Sequence, residues 1–593
     1  MTTFGRDAKS PEPPWPFTGR EDELELMRRS LAVGRPGVVV TGPAGHGRTR
    51  LAAEAVRGTD CARAAGTPET AGVSFAAFAH LLPEHVTLHR AVRLLSGLRL
   101  LWVDDAHLLD DASAAAVHQL AVQGRTRLLV TAADAPVPRA ISRLWSDELL
   151  PRLTLGPLPR EDTAQLLAAG TGGLLEPLTA HRLHRLGGGD LRLLRDLLAA
   201  VRDHGLLTRV PGTDAWAWRG PVPVTAAVRE HAAAVLGRGC PDERETVDRL
   251  AFAEPLPLPA TTLDLRVLER LEADGLVHVD DDTAVRLADP LHGPVLRAAA
   301  GRLRTLRLSA SRPPHAPALA AEQAALSRRI EQADVRPLPA PVGEWLAGEG
   351  LPVPAAYAAV RARFARFQGA LREAAAWARE GLRGSPQDPA CRGELALATA
   401  QSGEALTTRE VPDAPAALDS DREYDAVRLG TPEKAPALLS ADPHRLPPLD
   451  RLFARHAQAL THADGAALDA VAEELERRGF LLFAAEAHAQ AVRAHRDPRA
   501  ARTARTRAVA LARRCEGART PALSGLVLGE LTTRQRQIVG LAAAGLSNRE
   551  IAERLTLSVR TVGNHLYGAY ARLGANDRGD LPWLVELPEA QSA

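Results

Sequence analysis

The sequence predicts a multidomain chain, with an α/β unit on a parallel sheet first and an almost wholly helical remainder that closes in a helix-turn-helix. Three observations carry this. Val38 to Thr41 is a β-branched run that passes through a glycine-rich turn into a helix-compatible stretch. A second apolar run, L-R-L-L-W-V, ends in the acids Asp104 and Asp105. The stretch from Leu531 to Gly574 reads as two or three short capped helices. A length of 593 residues leaves room for several domains.

Residues 1–16 lack the apolar core of a signal peptide and read as a disordered tail. The chain is 45% hydrophobic but only 4% aromatic, so Ala- and Leu-rich helices are expected beyond the sheet. Its net charge of +1 argues against a generally basic surface. Cys61, Cys240, Cys391 and Cys515 lie far apart with no CxxC pair, which disfavours a zinc site or disulfide framework and fits a reducing cytosol. No apolar run approaches the ~18 residues of a membrane span. A cytoplasmic location without a membrane partner is expected.

The first domain is expected over 17–212. After the strand at Val38 comes G-P-A-G-H-G-R-T, Gly42 to Thr49, and then L-A-A-E-A-V. A strand, a glycine-rich turn and a helix N-terminus together cradle phosphate, because backbone N–H groups and the helix dipole meet the anion. The spacing matches G-x-x-x-x-G-K-[ST], whose lysine reaches the terminal phosphates and whose hydroxyl holds magnesium, except that Arg48 replaces the lysine. Arginine keeps the charge, but its planar fork does not substitute directly for a compact ammonium. The candidate nucleotide-binding residues are Gly42, Gly45, Gly47, Arg48, Thr49 and Asp104. Thr49 and Asp104 would hold magnesium, and Asp105 would be the catalytic carboxylate that polarises water. A third strand at Arg127 to Thr131 continues the β-α alternation of a parallel sheet.

This region, with F-T-G-R-E at Phe17–Glu21 and R-L-G-G-G-D-L-R-L-L-R-D-L-L at Arg185–Leu198, resembles the ATPase modules of the STAND class. The resemblance implies ATP or ADP with magnesium as ligand. It also implies an arginine close after the third strand, yet none follows until Arg139. With Arg48, this points to weak or lost hydrolysis, and leaves open whether nucleotide is still bound or the P-loop fold is only a scaffold.

Residues 213–305 read as a winged-helix-like domain: V-L-E-R-L-E-A-D-G-L-V-H-V, an acidic turn at Asp280–Asp282, then A-V-R-L. Its Glu269, Glu272 and Asp274 disfavour contact with phosphates, so a spacer is expected. From 306 to 520, proline-rich breaks separate Ala-rich helices. Pro354 to about Gln401 runs helix, Gly369-Ala370 turn, helix and helix again, similar to a tetratricopeptide-type unit, and Leu452–Leu523 continues as paired helices.

In the last domain, 521–593, Thr532 with Gln535 and Ser547 with Glu550 form S/T-x-x-E/Q capping boxes, and Gly545 and Gly574 are placed to end helices. Ser558 caps a third helix in which Val562, Leu566, Ala569 and Leu573 share an apolar face, leaving Arg560, Gly563, Asn564, Tyr567 and Ala571 outside. L-T-x-R, G-L-S-N-R-E-I-A-E-R-L, S-V-R-T-V-x-N-H-L and the closing R-L-G with Arg578 and Leu581 resemble the LuxR-type helix-turn-helix position by position. The resemblance implies double-stranded DNA as partner. Arg549, Arg554, Arg560, Arg572 and Arg578 are expected on phosphates and Asn564 and Tyr567 on base edges, and Thr561 and His565 complete the set. His565 is expected to orient or pack the helix rather than bind a metal. Gly563 and Tyr567 stand where many relatives carry charged or long polar residues, so the operator cannot be read.

The domain order as a whole resembles the large ATP-binding LuxR-type regulators of actinobacteria. That implies transcriptional activation, often of a specialised-metabolite gene cluster. The order suggests P-loop and repeat domains that gate dimerisation or contact with RNA polymerase. Leu581, Leu584 and Val585 are expected to form a dimer seam, and a homodimer would require a two-fold operator. The competing reading is a signalling ATPase whose DNA contact only localises it.

Overall fold

A computed structural model describes residues 15–573 except 33, 135, 237–239, 255, 258–262, 280–283, 311–315, 339–340, 403–418, 517, 525, 527–532, 544 and 556. Apart from two short segments, the chain divides into compact units of residues up to Arg312 and from Pro313 onward.

The first unit is organised by five strands: β1 (Gly37–Gly42), β2 (Ala62–Ala65), β3 (Leu100–Asp104), β4 (Arg127–Ala133) and β5 (Arg152–Thr154). Their order is β2-β3-β4-β1-β5, and every pairing is parallel. The apolar runs of the central strands follow from burial on both faces. Val38, Val40, Leu100 and Trp102 pack against α1 (Glu21–Ser30) and α2 (Arg48–Ala55) through Leu24, Met27 and Leu51. Val39, Leu101, Val103 and Val130 face α3 (Leu88–Leu95), α4 (Asp111–Gln123) and α5 (Arg139–Ser146) through Val92, Val117, Leu120 and Ile141. Side chains of successive strand residues thus alternate between the two cores. The third predicted strand extends two residues further, to Ala133.

Beyond the sheet, α6 (Arg160–Thr171), α7 (Pro177–Gly187) and α8 (Leu191–Asp203) surround a core of Leu167, Leu183, Leu186, Leu194 and Leu197. Asp190 caps α8, accepting from the N–H groups of Arg192 and Leu193. A helix at Leu265–Ala273 turns at Gly275 (φ +69°) into an antiparallel hairpin of Val277–Val279 and Ala284–Leu287. The acidic turn at Asp280–Asp282 lies outside the described residues.

The second unit is helical. Helices Ala355–Gln368 and Leu371–Gly384 pair across Gly369 (φ +84°), and Pro389–Ser402 packs on them. Pro448–Thr461, Gly465–Arg477, Leu481–Ala494 and Pro498–Arg513 continue as successive packed helices. Their core holds Tyr424 stacked on Phe453 with ring centroids 3.6 Å apart. It also encloses a polar chain. The Gln490 amide nitrogen donates to the carbonyls of Val427 and Arg428, which turns its oxygen toward His456 Nε2 at 2.7 Å. His456 Nε2 therefore donates and Nδ1 accepts from the Tyr424 hydroxyl at 2.9 Å. Beside it, Arg428 forks onto buried Glu486 at 2.7 and 3.1 Å. Among the described residues, no helix is long and apolar enough to cross a membrane.

Candidate phosphate loop and nucleic-acid interface

The loop between β1 and α2 takes its course from glycine. Gly45 and Gly47 adopt left-handed φ of +78° and +86°, and a Cβ on Gly45 would lie 2.1 Å from Asp190 Cγ. Gly47 is the N-cap of α2 and makes no side-chain cap, so the first-turn N–H groups face the loop without one. The loop is tied down where the Leu191 N–H donates to the Gly45 carbonyl at 3.0 Å.

Arg48, only 8% exposed, turns back under this loop. Its guanidinium donates to the carbonyls of Gly42 and Ala132, the latter at 3.0 Å, and pairs with Asp105 at 3.3 Å. Burial pushes the guanidinium below its usual range, and Asp105 and Asp104 oppose that shift. The sequence position that would reach terminal phosphates is thus engaged with the sheet. Asp105 has a left-handed φ of +48°, and its Oδ1 lies 3.9 Å from His107 Nδ1. Burial lowers the His107 pKa, which favours the neutral ring, while Asp105 opposes that shift.

Asp104, at the end of β3, is 3% exposed. Its Oδ1 accepts from the Thr131 hydroxyl at 2.6 Å and the Thr49 hydroxyl at 3.2 Å, and its Oδ2 pairs with Arg63 at 2.7 Å. A magnesium ion needs near-octahedral oxygen ligands at ~2.0–2.1 Å and keeps several waters. Here the Arg63 guanidinium takes Oδ2 and two hydroxyls take Oδ1, while Thr49, donating its proton to Asp104, keeps its oxygen lone pairs. At the expected magnesium seat of Thr49 and Asp104 the positive charge of Arg63 already stands on the carboxylate, and it is this charge that does not fit a metal ion. Arg63 was not singled out from the sequence, since it lies on β2, outside the phosphate-loop pattern.

A cleft of about 840 Å³ opens beside the loop. Trp15, Phe17, Leu158, Leu166 and Leu191 form an apolar wall, and Gly45, Gly47, Thr49, Arg50, Arg63, Arg192 and Arg195 give it a cationic, backbone-rich side. An apolar wall with a few convergent polar groups is the usual form of a small-molecule site, and this volume falls within the usual range. Among the described residues, the Trp102 indole N–H, buried at the cleft, has no hydrogen-bond partner.

In the second unit the C-terminal helices pack through Ile538, Val539, Ala542, Ile551, Val562, Leu566 and Ala569, with Val509 joining this core. The expected capping box is present: Ser547 N–H donates to Glu550 at 2.6 Å, and Glu550 N–H donates to the Ser547 hydroxyl at 3.3 Å. Gly545 ends the preceding helix with φ +87°. Ser558 caps helix Val559–Leu573, accepting from Thr561 N–H at 3.0 Å. Thr532, Gly574, Arg578, Leu581, Leu584 and Val585 lie outside the described residues, and for Arg572 only its place in this helix is described.

Packing of Val562, Leu566 and Ala569 leaves Arg560, Asn564 and Tyr567 exposed at i, i+4 and i+7 on one face. Tyr567 is 80% exposed. Thr561 and His565 are half-buried flanks of that row. Val559, also exposed, adds an apolar group that the sequence reading left unassigned. Arg549 is exposed and pairs with Glu553 at 3.2 Å. Arg534 plays a structural part, donating to the Leu555 carbonyl at 2.9 Å and so tying two helices together.

These features define a P-loop NTPase-like α/β module followed by a mostly helical chain with a helix-turn-helix at its C-terminal end. Residues 529–584 match the model of the bacterial regulatory proteins, luxR family. A candidate HTH-type transcriptional regulator of Mycobacterium tuberculosis (strain ATCC 25618 / H37Rv) is 45% identical over 74 residues, 12% of this chain and 8% of its own length. The monoamine regulon transcriptional regulator of Klebsiella aerogenes is 38% identical over 61 residues, 10% of this chain and 27% of its own length. Among solved structures, the Thermotoga maritima RuvB Holliday junction branch migration motor aligns at 16% identity over 45% of this chain and 90% of that one, with a TM-score of 0.26. A Walker-type ATPase of Pyrococcus abyssi aligns at 12% identity over 47% and 95%, with a TM-score of 0.30. The assignment of the α/β module therefore rests on its strand order and loop geometry.

Proposed function

We propose that this chain is a DNA-binding transcription regulator whose α/β module takes a nucleotide as a regulatory ligand. The exposed row of Arg560, Asn564 and Tyr567, on a helix whose opposite face packs through Val562, Leu566 and Ala569, is the observation that carries this reading. Its length suits a major groove, where asparagine pairs with adenine and arginine contacts phosphate or guanine. Arg549, Arg572 and Arg578 supply phosphate contacts, and Thr561 and His565 orient the helix.

In this reading the domains run 17–212, 213–305, 306–520 and 521–593. The second is a winged-helix-like spacer, and the third is a tetratricopeptide-like stack that offers a surface for an inducing partner. The chain acts as a homodimeric activator that contacts RNA polymerase, with a specialised-metabolite cluster as its target, in the manner of the large ATP-binding LuxR-type regulators. ATP or ADP fills the cleft, with the base on the Trp15 and Phe17 wall and phosphates over Gly45, Gly47 and Thr49. Turnover is weak, because Arg48 is committed to backbone carbonyls and to Asp105, the carboxylate that would otherwise polarise water.

Selection of duplex sites from random DNA, followed by salt titration, tests the DNA function. Arg560→Ala should weaken binding to all sequences and lower the salt slope by about one unit. Asn564→Ala should relax the preference at one base position, worth about 1–3 kcal/mol. Failure to enrich any sequence, with no duplex binding at low salt, would sink the reading.

A further inference from the structure

Taking the cleft as a nucleotide site, as proposed above, we infer that it binds its nucleoside di- or triphosphate as a metal-free anion, with the Arg63 guanidinium fixed where a magnesium ion would otherwise sit. Arg63 is held in two ways. It pairs with Asp104 at 2.7 Å, and its guanidinium carbon lies 4.2 Å from the Trp102 ring centroid. The β2–β3 register sets Arg63 directly beside Trp102, so both side chains leave the sheet on the same face. The Arg63 side chain is half-exposed, and its charged end rests on the indole face and the buried carboxylate.

Charge accounting points the same way. Asp104 and Asp105 are matched one for one by Arg63 and Arg48. Glu54, which also lines the cleft, pairs with Arg57 at 2.8 Å. A divalent cation placed here would meet the guanidiniums of Arg63 and Arg48, which already neutralise Asp104 and Asp105. A polyphosphate would meet Arg50, Arg192 and Arg195 along the cleft and the uncapped first turn of α2. A side chain of β2 thus supplies the positive charge that a metal would bring.

The test is calorimetric titration of ADP and of ATP into the full chain, in excess EDTA and in excess magnesium. Wild-type affinity should differ by less than about threefold between the two buffers. Arg63→Ala should lose about tenfold or more in EDTA and recover most of it in magnesium, because Asp104 is then free to take the ion. Arg63→Gln gives the same comparison should the alanine variant fail to fold, with circular dichroism as the check. Wild-type binding that tightens tenfold or more with magnesium would overturn the metal-free inference and leave the nucleotide reading standing. Equal affinity of the Arg63 variants and wild type in EDTA would also overturn it. Absence of heat with either nucleotide in both buffers would overturn the nucleotide reading, and the inference with it.

Discussion

Arg48 stands at the sequence position of the phosphate-loop lysine and Arg63 pairs with Asp104, the carboxylate expected to hold a metal, and only the first of the two was visible in advance. Arg48 stands inside a recognisable pattern, so its replacement of lysine can be read directly, although the direction it points cannot. That direction is set by Asp105 and the Gly42 and Ala132 carbonyls, which come together only when β1, β3 and β4 align. Arg63 sits in C-A-R-A-A, which carries no β-branched residue, and its meaning depends on register with Trp102. His456 is a second residue whose role appears only in the packed state. Burial and the neighbouring Arg428 lower its pKa to about 4 against 6.5 in the unfolded chain, while its bond to Gln490 works the other way. The folded protein therefore refuses a proton that the unfolded chain accepts. Its contribution is fully present above pH 6.5 and is lost as pH falls toward 4, by about 3 kcal/mol. Urea unfolding of wild type and His456→Gln should show the variant losing that much less stability on acidification. Equal losses would mean that His456 is protonated in place.

At the level of elements, legibility followed the strength of the local signal. β1, β3 and β4 are buried on both faces, so their apolar runs stood out. β2 and β5 are short edge strands of the five-stranded sheet, and nothing in Ala62–Ala65 or Arg152–Thr154 marks them until a neighbour pairs with them. The C-terminal helices were readable almost to the residue, because capping chemistry is local. Ser547 with Glu550, Ser558 and Gly545 act within a single turn of chain. Base readout belongs to this scale as well. Tyr567 touches too little of the protein to matter for folding, yet it lies on the outward row. Tyr567→Ala should leave stability within about 0.5 kcal/mol of wild type and weaken binding to a selected site several-fold. Thermal melts together with gel-shift titrations check both halves. A large drop in melting temperature would show that the ring packs against the domain.

At the level of the whole molecule, each of the two compact units has its own core, so unfolding should not follow a single two-state transition. A nucleotide at about a hundredfold its Kd should stabilise the unit that holds the cleft by about 2.7 kcal/mol. Calorimetric scans with and without ADP should show that transition moving upward, and a scan unchanged at saturating ADP would speak against the cleft as its site. One bond described above bears on what happens before any unfolding. The Leu191 N–H at the start of α8 is satisfied by the Gly45 carbonyl at the tip of the loop. A ligand that reshapes the loop must either carry the first turn of α8 with it or release that amide to water. The exchange rate of this one proton is thus a built-in clock on the loop, slow while the tip is seated and fast whenever it lifts.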